Sequence, residues 1–253
     1  MRTSISVAAQ FRGPPNSVNG GYACGVMARL IEGPATAVLR APPPLDTPMV
    51  MIRDGEEVRL ESEAGEVIGY ASPAADVALP PVPAAPSFAA AIAAAPGFPG
   101  LSRPFHPICF CCGDKVQEGV GLRVFAGPVS GTDGMVAGPW TPNAVFADAE
   151  GLIPAEVVWA ALDCPGAVAW VVGGGGGGML GTMTCELVRR PKAGEPCIVI
   201  GWPIERSGRK LISGTALYSA DGELMARSHQ IWIGRAPVAE GVSAARTAAP
   251  AAS

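Results

Sequence analysis

Residues 215–227 read Thr-Ala-Leu-Tyr-Ser-Ala-Asp-Gly-Glu-Leu-Met-Ala-Arg, and this stretch decides the fold. An Asp-Gly pair between two alternating segments predicts a β-hairpin, because glycine accepts the positive φ of a tight turn. Residues 59–71 read Arg-Leu-Glu-Ser-Glu-Ala-Gly-Glu-Val-Ile-Gly-Tyr-Ala. In both stretches a Ser is followed three positions later by Gly, then by Glu and two apolar residues. The similarity predicts two copies of one structural unit.

Each half of the chain also has an apolar segment that predicts a helix ahead of its strands. Residues 21–32 carry apolar side chains at helical spacing, with Asn19 placed to cap the start and Gly33-Pro34 to end the helix. Residues 155–170 leave hardly any polar face, and a helix that is apolar all round is a buried one. A sheet around a central buried helix is the hotdog arrangement. The sequence therefore predicts the α+β class, as a double hotdog whose two antiparallel sheets each wrap a central helix.

Changes in composition divide the chain into four parts. We expect an N-terminal hotdog half over residues 1–79 and a C-terminal hotdog half over residues 109–236. Residues 80–108 are rich in Ala and Pro, which predicts a linker with a helical turn near 88–94. Residues 237–253 consist mostly of small residues and predict a disordered tail.

Overall composition excludes several classes of protein. Apolar residues make up 49% of the chain and charged residues 16%, and the net charge is −4. This balance offers no basic patch for a phosphate backbone, so we expect no nucleic-acid partner. No run reaches the roughly 18 to 20 continuous apolar residues of a membrane helix. The N-terminus does not resemble a signal peptide and the seven cysteines are odd in number, so we expect a cytoplasmic protein with reduced thiols.

Three polar residues are candidates for chemistry. Asp163 lies in the predicted buried helix, where a carboxylate costs several kcal/mol unless it is paired or protonated. The alternative is an Asp that binds nearby backbone N–H groups around Pro165. Gln230 is predicted to point inward, which is also how a satisfied core amide behaves. Thr182 follows six consecutive glycines, residues 173–178, that predict a loop. Together, a carboxylate, an amide and a hydroxyl can bind, orient and deprotonate a water molecule.

The motif Asp-Gly-Glu-Leu-Met-Ala-Arg-Ser-His-Gln at residues 221–230 resembles the final hairpin of double-hotdog acyl-CoA thioesterases of the bacterial thioesterase II type. The resemblance implies that Asp163 is the general base and that Gln230 and Thr182 position the attacking water. It also implies that the substrate is an acyl-CoA or acyl-carrier thioester and that no cofactor is required.

The start of the first predicted helix carries a second part of the resemblance. Gly20-Gly21-Tyr22 resembles the Gly-Gly-Gln of that family at the equivalent place. This implies that backbone N–H groups from Asn19 to Tyr22 stabilise the thioester oxyanion. Arg189 and Arg190 form a small basic cluster, which is either a solvated turn or a contact for the phosphates of coenzyme A.

Two other functions stay open at this stage. One is a non-catalytic protein that binds acyl thioesters or a protein partner. The other is a hotdog dehydratase or hydratase, disfavoured because that chemistry usually pairs an Asp with a His, and neither His106 nor His229 is expected near Asp163. A homodimer through exposed sheet edges is compatible with the fold.

Cys109 and Cys112 have the two-residue gap of a zinc knuckle, and His106 is nearby in the sequence. A closed zinc site needs four ligands, and the sequence has no second Cys-x-x-Cys. The pattern therefore favours a thiol-rich structural turn, and no metal is predicted unless a distant Cys contributes.

Overall fold

The computed structural model describes residues 1–75, 77 and 79–234, so the predicted tail over residues 237–253 lies outside the described residues. The strands are β1 (Arg2–Ile5), β2 (Ala35–Leu39), β3 (Met49–Asp54), β4 (Glu57–Ser62), β5 (Val67–Pro73), β6 (Gly127–Pro128), β7 (Val136–Trp140), β8 (Gly178–Leu187), β9 (Cys197–Ser207), β10 (Lys210–Ser219) and β11 (Leu224–Gly234). The α-helices are α1 (Gly20–Ala28), α2 (Phe88–Ala94), α3 (Pro99–Ser102) and α4 (Ala155–Val172).

All of these strands pair into one antiparallel sheet, in the order β1-β3-β4-β5-β2-β8-β11-β10-β9-β7-β6. The order repeats. In the first half, β1 precedes α1 and the strands lie as β1-β3-β4-β5-β2; in the second half, β7 precedes α4 and they lie as β7-β9-β10-β11-β8. The halves join at the centre, where β2 pairs with β8 and Ala35 lies opposite Cys185. The large antiparallel sheet with few helices agrees with the predicted fold class.

The two hairpin turns share the same hydrogen bonds. In the turn between β4 and β5, Ser62 N donates to Glu66 O (2.8 Å) and Gly65 N donates to Ser62 O (2.9 Å). In the turn between β10 and β11, Ser219 N donates to Glu223 O (2.9 Å) and Gly222 N donates to Ser219 O (3.0 Å). Gly65 and Gly222 both have a φ of 87°, a backbone conformation that favours glycine. The repeat in sequence is therefore also a repeat in structure.

Helices α1 and α4 pack against each other. A Cβ added to Gly21 would lie 2.5 Å from the carbonyl oxygen of Trp159, so this glycine permits the close approach. The predicted Asn19 cap is confirmed, because its side chain accepts a hydrogen bond from the Tyr22 N–H. Helix α1 is shorter than predicted and ends at Ala28 instead of residue 32, because the chain turns over the next residues to enter β2.

Helix α4 is, by length and composition alone, long and apolar enough to cross a membrane. In the structure 61% of it is buried, and it packs against β9, β10, β11 and β7. Its apolar surface is therefore explained by its place in the core.

The Ala/Pro-rich segment covers part of the second half of the sheet. The predicted helical turn is confirmed as α2. Ala91 of this helix packs in a cluster with Ile198 and Ile200 of β9, and the Tyr218 hydroxyl donates to the Pro83 carbonyl (2.8 Å). The segment thus packs on the sheet as well as connecting the halves.

Candidate active site

A cavity of about 1200 Å³ lies where the start of α1, the end of β2, the middle of α4 and the glycine-rich segment meet. Its walls include the apolar side chains of Leu39, Val168, Leu180 and Trp232. Gly174–Gly178 form one side of it. Among the described residues that line it, Asp163 is the only carboxylate. The cavity can therefore hold an apolar chain beside one acidic group.

Asp163 is held by the residue that caps α1. Its side chain lies on α4 and the residue is only 3% exposed. Asn19 Nδ2 donates to Asp163 Oδ2 at 2.6 Å, while Asn19 Oδ1 accepts from the Tyr22 N–H at 2.9 Å. Among the described atoms, Asp163 Oδ1 has no hydrogen-bond partner. One carboxylate oxygen is thus fixed in place, and the other is buried without a partner at full hydrogen-bond geometry, while the Gly21 N–H lies close enough to act on the carboxyl group.

The surroundings of Asp163 suit a base that works near neutral pH. Burial, with a smaller contribution from the nearby Cys109, raises the pKa of its carboxyl group to about 7. The Gly21 N–H and the Asn19 amide act in the opposite direction. A carboxyl group with such a pKa can take up and release a proton under physiological conditions.

The N-terminus of α1 adds hydrogen-bond donors to the site. The first N–H groups of a helix have no partner within the helix, and they lie at the positive end of its dipole. Gly20 lines the cavity, whereas Gly21 does not and its N–H is directed at Asp163. Tyr22 differs, because its ring stacks on Phe11 with 4.2 Å between ring centres and does not line the cavity. Its side chain belongs to the core.

Gln230 is buried in β11, as predicted, and its amide is fully engaged. Nε2 donates to the Leu162 carbonyl (2.8 Å) and to the hydroxyls of Thr215 (3.2 Å) and Ser228 (3.1 Å), and Oε1 accepts from Trp232 Nε1 (2.8 Å). The residue is not among those that line the cavity. Gln230 therefore contacts the residue before Asp163, and its hydrogen bonds are made within the core.

Thr182 lies on the other face of the sheet from Gln230. In the pairing of β8 with β11, Thr182 lies opposite Ile231, whereas Met183 lies opposite Gln230. Directly paired residues share a face, and neighbouring residues alternate between faces. The three side chains predicted to converge therefore do not all do so. The pairing of β11 with β8 also shifts in register between Ile231 and Trp232, and no sequence pattern predicts this irregularity.

Arg189 and Arg190 are engaged with carboxylates away from the cavity. Arg189 forms ion pairs with Glu195 (2.8 Å) and Glu223 (2.7 Å), and Arg190 pairs with Asp148 (2.5 Å). Neither arginine lines the cavity. The alternative of a phosphate contact at this cluster is not supported, because acidic neighbours already neutralise it.

Sequence reasoning missed three features of the cavity wall. Arg40 and Arg206 both line it. Arg40 Nη2 donates to the Tyr70 hydroxyl at 2.9 Å, and Arg206 Nη1 donates to the Gly175 carbonyl at 3.2 Å. His106 also lines the cavity, although no sequence pattern places a histidine at this site. No local sequence signal links these residues, since each comes from a different segment.

Solved structures show the fold to which the chain is similar. A hot dog fold protein from Alicyclobacillus acidocaldarius is 15% identical, with a TM-score of 0.60 and 94% of each chain covered. An acyl-CoA thioesterase II, TesB2, from Mycobacterium marinum is 14% identical, with a TM-score of 0.58 and 93% of each chain covered. A tesB protein from Mycobacterium avium subspecies paratuberculosis is 13% identical, with a TM-score of 0.58 and coverage of 92% of this chain and 93% of that one.

No protein-family model and no curated protein sequence matches the chain. The structural neighbours are thioesterase II, TesB and hotdog-fold proteins, as the sequence resemblance indicated, and at this level of identity they define the fold.

Proposed function

We propose that the chain is two fused hotdog units that hydrolyse an acyl thioester, with Asp163 as the general base. The observation that carries the proposal is the environment of Asp163. It is a buried carboxylate on the cavity wall, with one oxygen fixed by Asn19 and the other without a partner. The repeated strand order and the likeness to hotdog proteins over most of the chain support the two-unit interpretation.

The reaction follows from the positions of these groups. A water held in the cavity beside the Asp163 carboxylate gives its proton to that carboxylate as the water oxygen attacks the thioester carbonyl carbon. Negative charge then develops on the carbonyl oxygen, and the Gly20 N–H at the start of α1, at the positive end of the helix dipole, stabilises it. The carbon–sulfur bond breaks, and the proton passes to the leaving thiolate. The products are a carboxylic acid and a free thiol.

The lining of the cavity supports one placement of the substrate. The acyl chain lies along the apolar side chains of Leu180, Val168 and Trp232. Arg40, at the cavity, takes the anionic groups of coenzyme A or of a carrier phosphopantetheine, in place of Arg189 and Arg190. Acyl-CoA is the substrate class that we propose.

Gln230 serves this reaction as a positioning residue. Its Nε2 holds the Leu162 carbonyl at 2.8 Å, which ties the turn of α4 that carries Asp163 to β11. Thr182, on the opposite face of the sheet, has no part in the proposed mechanism. A cytoplasmic location and a homodimer of these protomers stay predictions.

His106 on the cavity wall gives a hydratase a specific basis, because an Asp and a His together can add water across a double bond. A panel of saturated and 2-enoyl acyl-CoAs separates the two reactions. We expect free thiol from the wild-type protein and none from Asp163→Asn. Loss of enoyl absorbance without thiol release would establish the hydratase instead. Thermal stabilisation by the ligands without either reaction would indicate a binding protein.

A further inference from the structure

The strongest unassigned feature is a cluster of three cysteine sulfurs beside the cavity. The Sγ atoms of Cys109, Cys112 and Cys164 all lie within 4.8 Å of one another, and those of Cys109 and Cys164 are 3.7 Å apart. Cys109 and Cys112 come from a single turn, whereas Cys164 comes from α4. Two segments that are distant in sequence thus direct their thiols to one point, which apolar packing alone does not require.

We propose that Cys109, Cys112 and Cys164 bind a zinc ion whose fourth coordination position faces the cavity. Zinc bound by cysteines is tetrahedral with Zn–S distances of about 2.3 Å, which places two ligand sulfurs about 3.8 Å apart. The distance between Cys109 and Cys164 already matches this value. The inference concerns these thiols alone and does not depend on the proposed hydrolysis.

A side-chain amide from a different segment lies beside the sulfur of Cys109. The Nδ2 atom of Asn19 lies 3.9 Å from this sulfur. Donors of this kind stabilise negative charge on a metal-bound sulfur.

Gly113 allows the turn that carries Cys109 and Cys112 to close. Its N–H donates to the Cys109 carbonyl at 2.8 Å, and a Cβ at this position would lie 2.6 Å from that carbonyl oxygen and 2.7 Å from the Pro107 carbonyl oxygen. Only glycine fits there without a shift of the backbone. The Cys-x-x-Cys-Gly sequence thus forms a tight loop whose two outer thiols face the thiol of Cys164.

Three protein ligands leave one position of a tetrahedral zinc ion open. Cys109 and Cys164 line the cavity and Cys112 does not, so the open position lies on the cavity side. Sites that bind water or a substrate atom have this arrangement, whereas closed structural sites use four protein ligands. The soft thiolate set favours zinc over magnesium or calcium.

The two segments also gain stability from such an ion. Zinc would tie the loop at Cys109 to α4 directly beside Asp163. Because the ligands must lose their protons to bind, zinc binding should release protons, and it should raise the melting temperature of the protein.

Metal binding by the full-length reduced protein tests the proposal. The protein is stripped with a chelator and titrated with zinc against a chromophoric competitor, and separately with cobalt, whose thiolate charge-transfer absorption reports sulfur ligands. We expect one ion per chain and a charge-transfer band for the wild type. Cys112→Ala should lose both, whereas Cys197→Ala, which removes a buried thiol outside the cluster, should keep both.

Several results would overturn the proposal. Wild-type protein that binds neither ion, or equal binding by Cys112→Ala and Cys197→Ala, would do so. A disulfide between Cys109 and Cys164 in freshly purified protein that holds no metal would assign the cluster to redox chemistry instead. If Cys112→Ala fails to fold, the cobalt spectrum of the wild-type protein still tests the proposal. Bound cobalt without a thiolate charge-transfer band would contradict the cysteine ligand set.

Discussion

Replacement of Gln230 by leucine separates a positioning role from a direct catalytic one. Leucine has a similar size but no polar atoms, so the Leu162 carbonyl and the Trp232 indole N–H would lose their partner in the core. Each unsatisfied buried group costs about 1–3 kcal/mol. Thr215 and Ser228 keep their mutual hydrogen bond of 2.7 Å, which limits the loss. We expect the free energy of unfolding to fall by about 2–4 kcal/mol.

Urea denaturation followed by fluorescence measures this loss. Thr182→Val is the matched control, since it removes a hydroxyl from the other face of the same part of the sheet, and it should change stability by less than about 0.5 kcal/mol. If Gln230→Leu unfolds at the same urea concentration as the wild type but loses all activity, the amide acts on substrate or water and the positioning role is refuted.

Three further outcomes follow from the same contacts. In chelator-treated protein, Asp163→Asn should become more stable relative to the wild type by about 4 kcal/mol as pH rises from 4 to 7. Over this range the carboxyl group of the unfolded wild type has lost its proton while the buried one, with a raised pKa of about 7, still holds it, so the wild type loses stability until about pH 7 and no further above it. A difference that stays constant with pH in urea titrations would contradict this. Gly21→Ala should lower the free energy of unfolding by about 1–3 kcal/mol, because the added Cβ would meet Trp159 O and Asp163 Cβ. Gly173→Ala is the control and should be tolerated, because the nearest atom to its added Cβ lies 3.5 Å away. Equal urea midpoints for the two variants would argue against the tight packing of α1 on α4. Arg40→Ala should raise the KM for acyl-CoA about fivefold, as expected for the loss of about 1 kcal/mol at an exposed charge, and Arg190→Ala should leave the KM unchanged. If steady-state kinetics show that only Arg190→Ala raises the KM, the cluster of Arg189 and Arg190 is the phosphate contact.

The sequence was informative where local rules decide the structure. The Asp221-Gly222 turn, the Asn19 cap and the apolar α4 each follow from backbone conformation, capping or periodicity, and the structure contains all three. The internal repeat was visible because both hairpins need the same glycine and serine.

What the sequence could not reveal depends on contacts between distant segments. The face of Thr182 follows from its pairing with Ile231, and a register that differs by one residue would place this side chain on the other face of the sheet. The ion pairs of Arg189 and Arg190 involve residues up to 42 positions away. Cys164 joins Cys109 only because α4 packs beside the turn at residue 109, so the third thiol had no sequence signal.

The initial rate of free thiol release from acyl-CoA, measured side by side for the wild type and Asp163→Asn, tests the central claim most directly. Asp221→Asn, at an exposed turn between β10 and β11, is the control for loss of a carboxylate. We expect thiol release by the wild type and by Asp221→Asn, and a loss of at least about a hundredfold in Asp163→Asn, the lower end for a general base. A folded Asp163→Asn protein that releases thiol at the wild-type rate would contradict the assignment of Asp163 as the base.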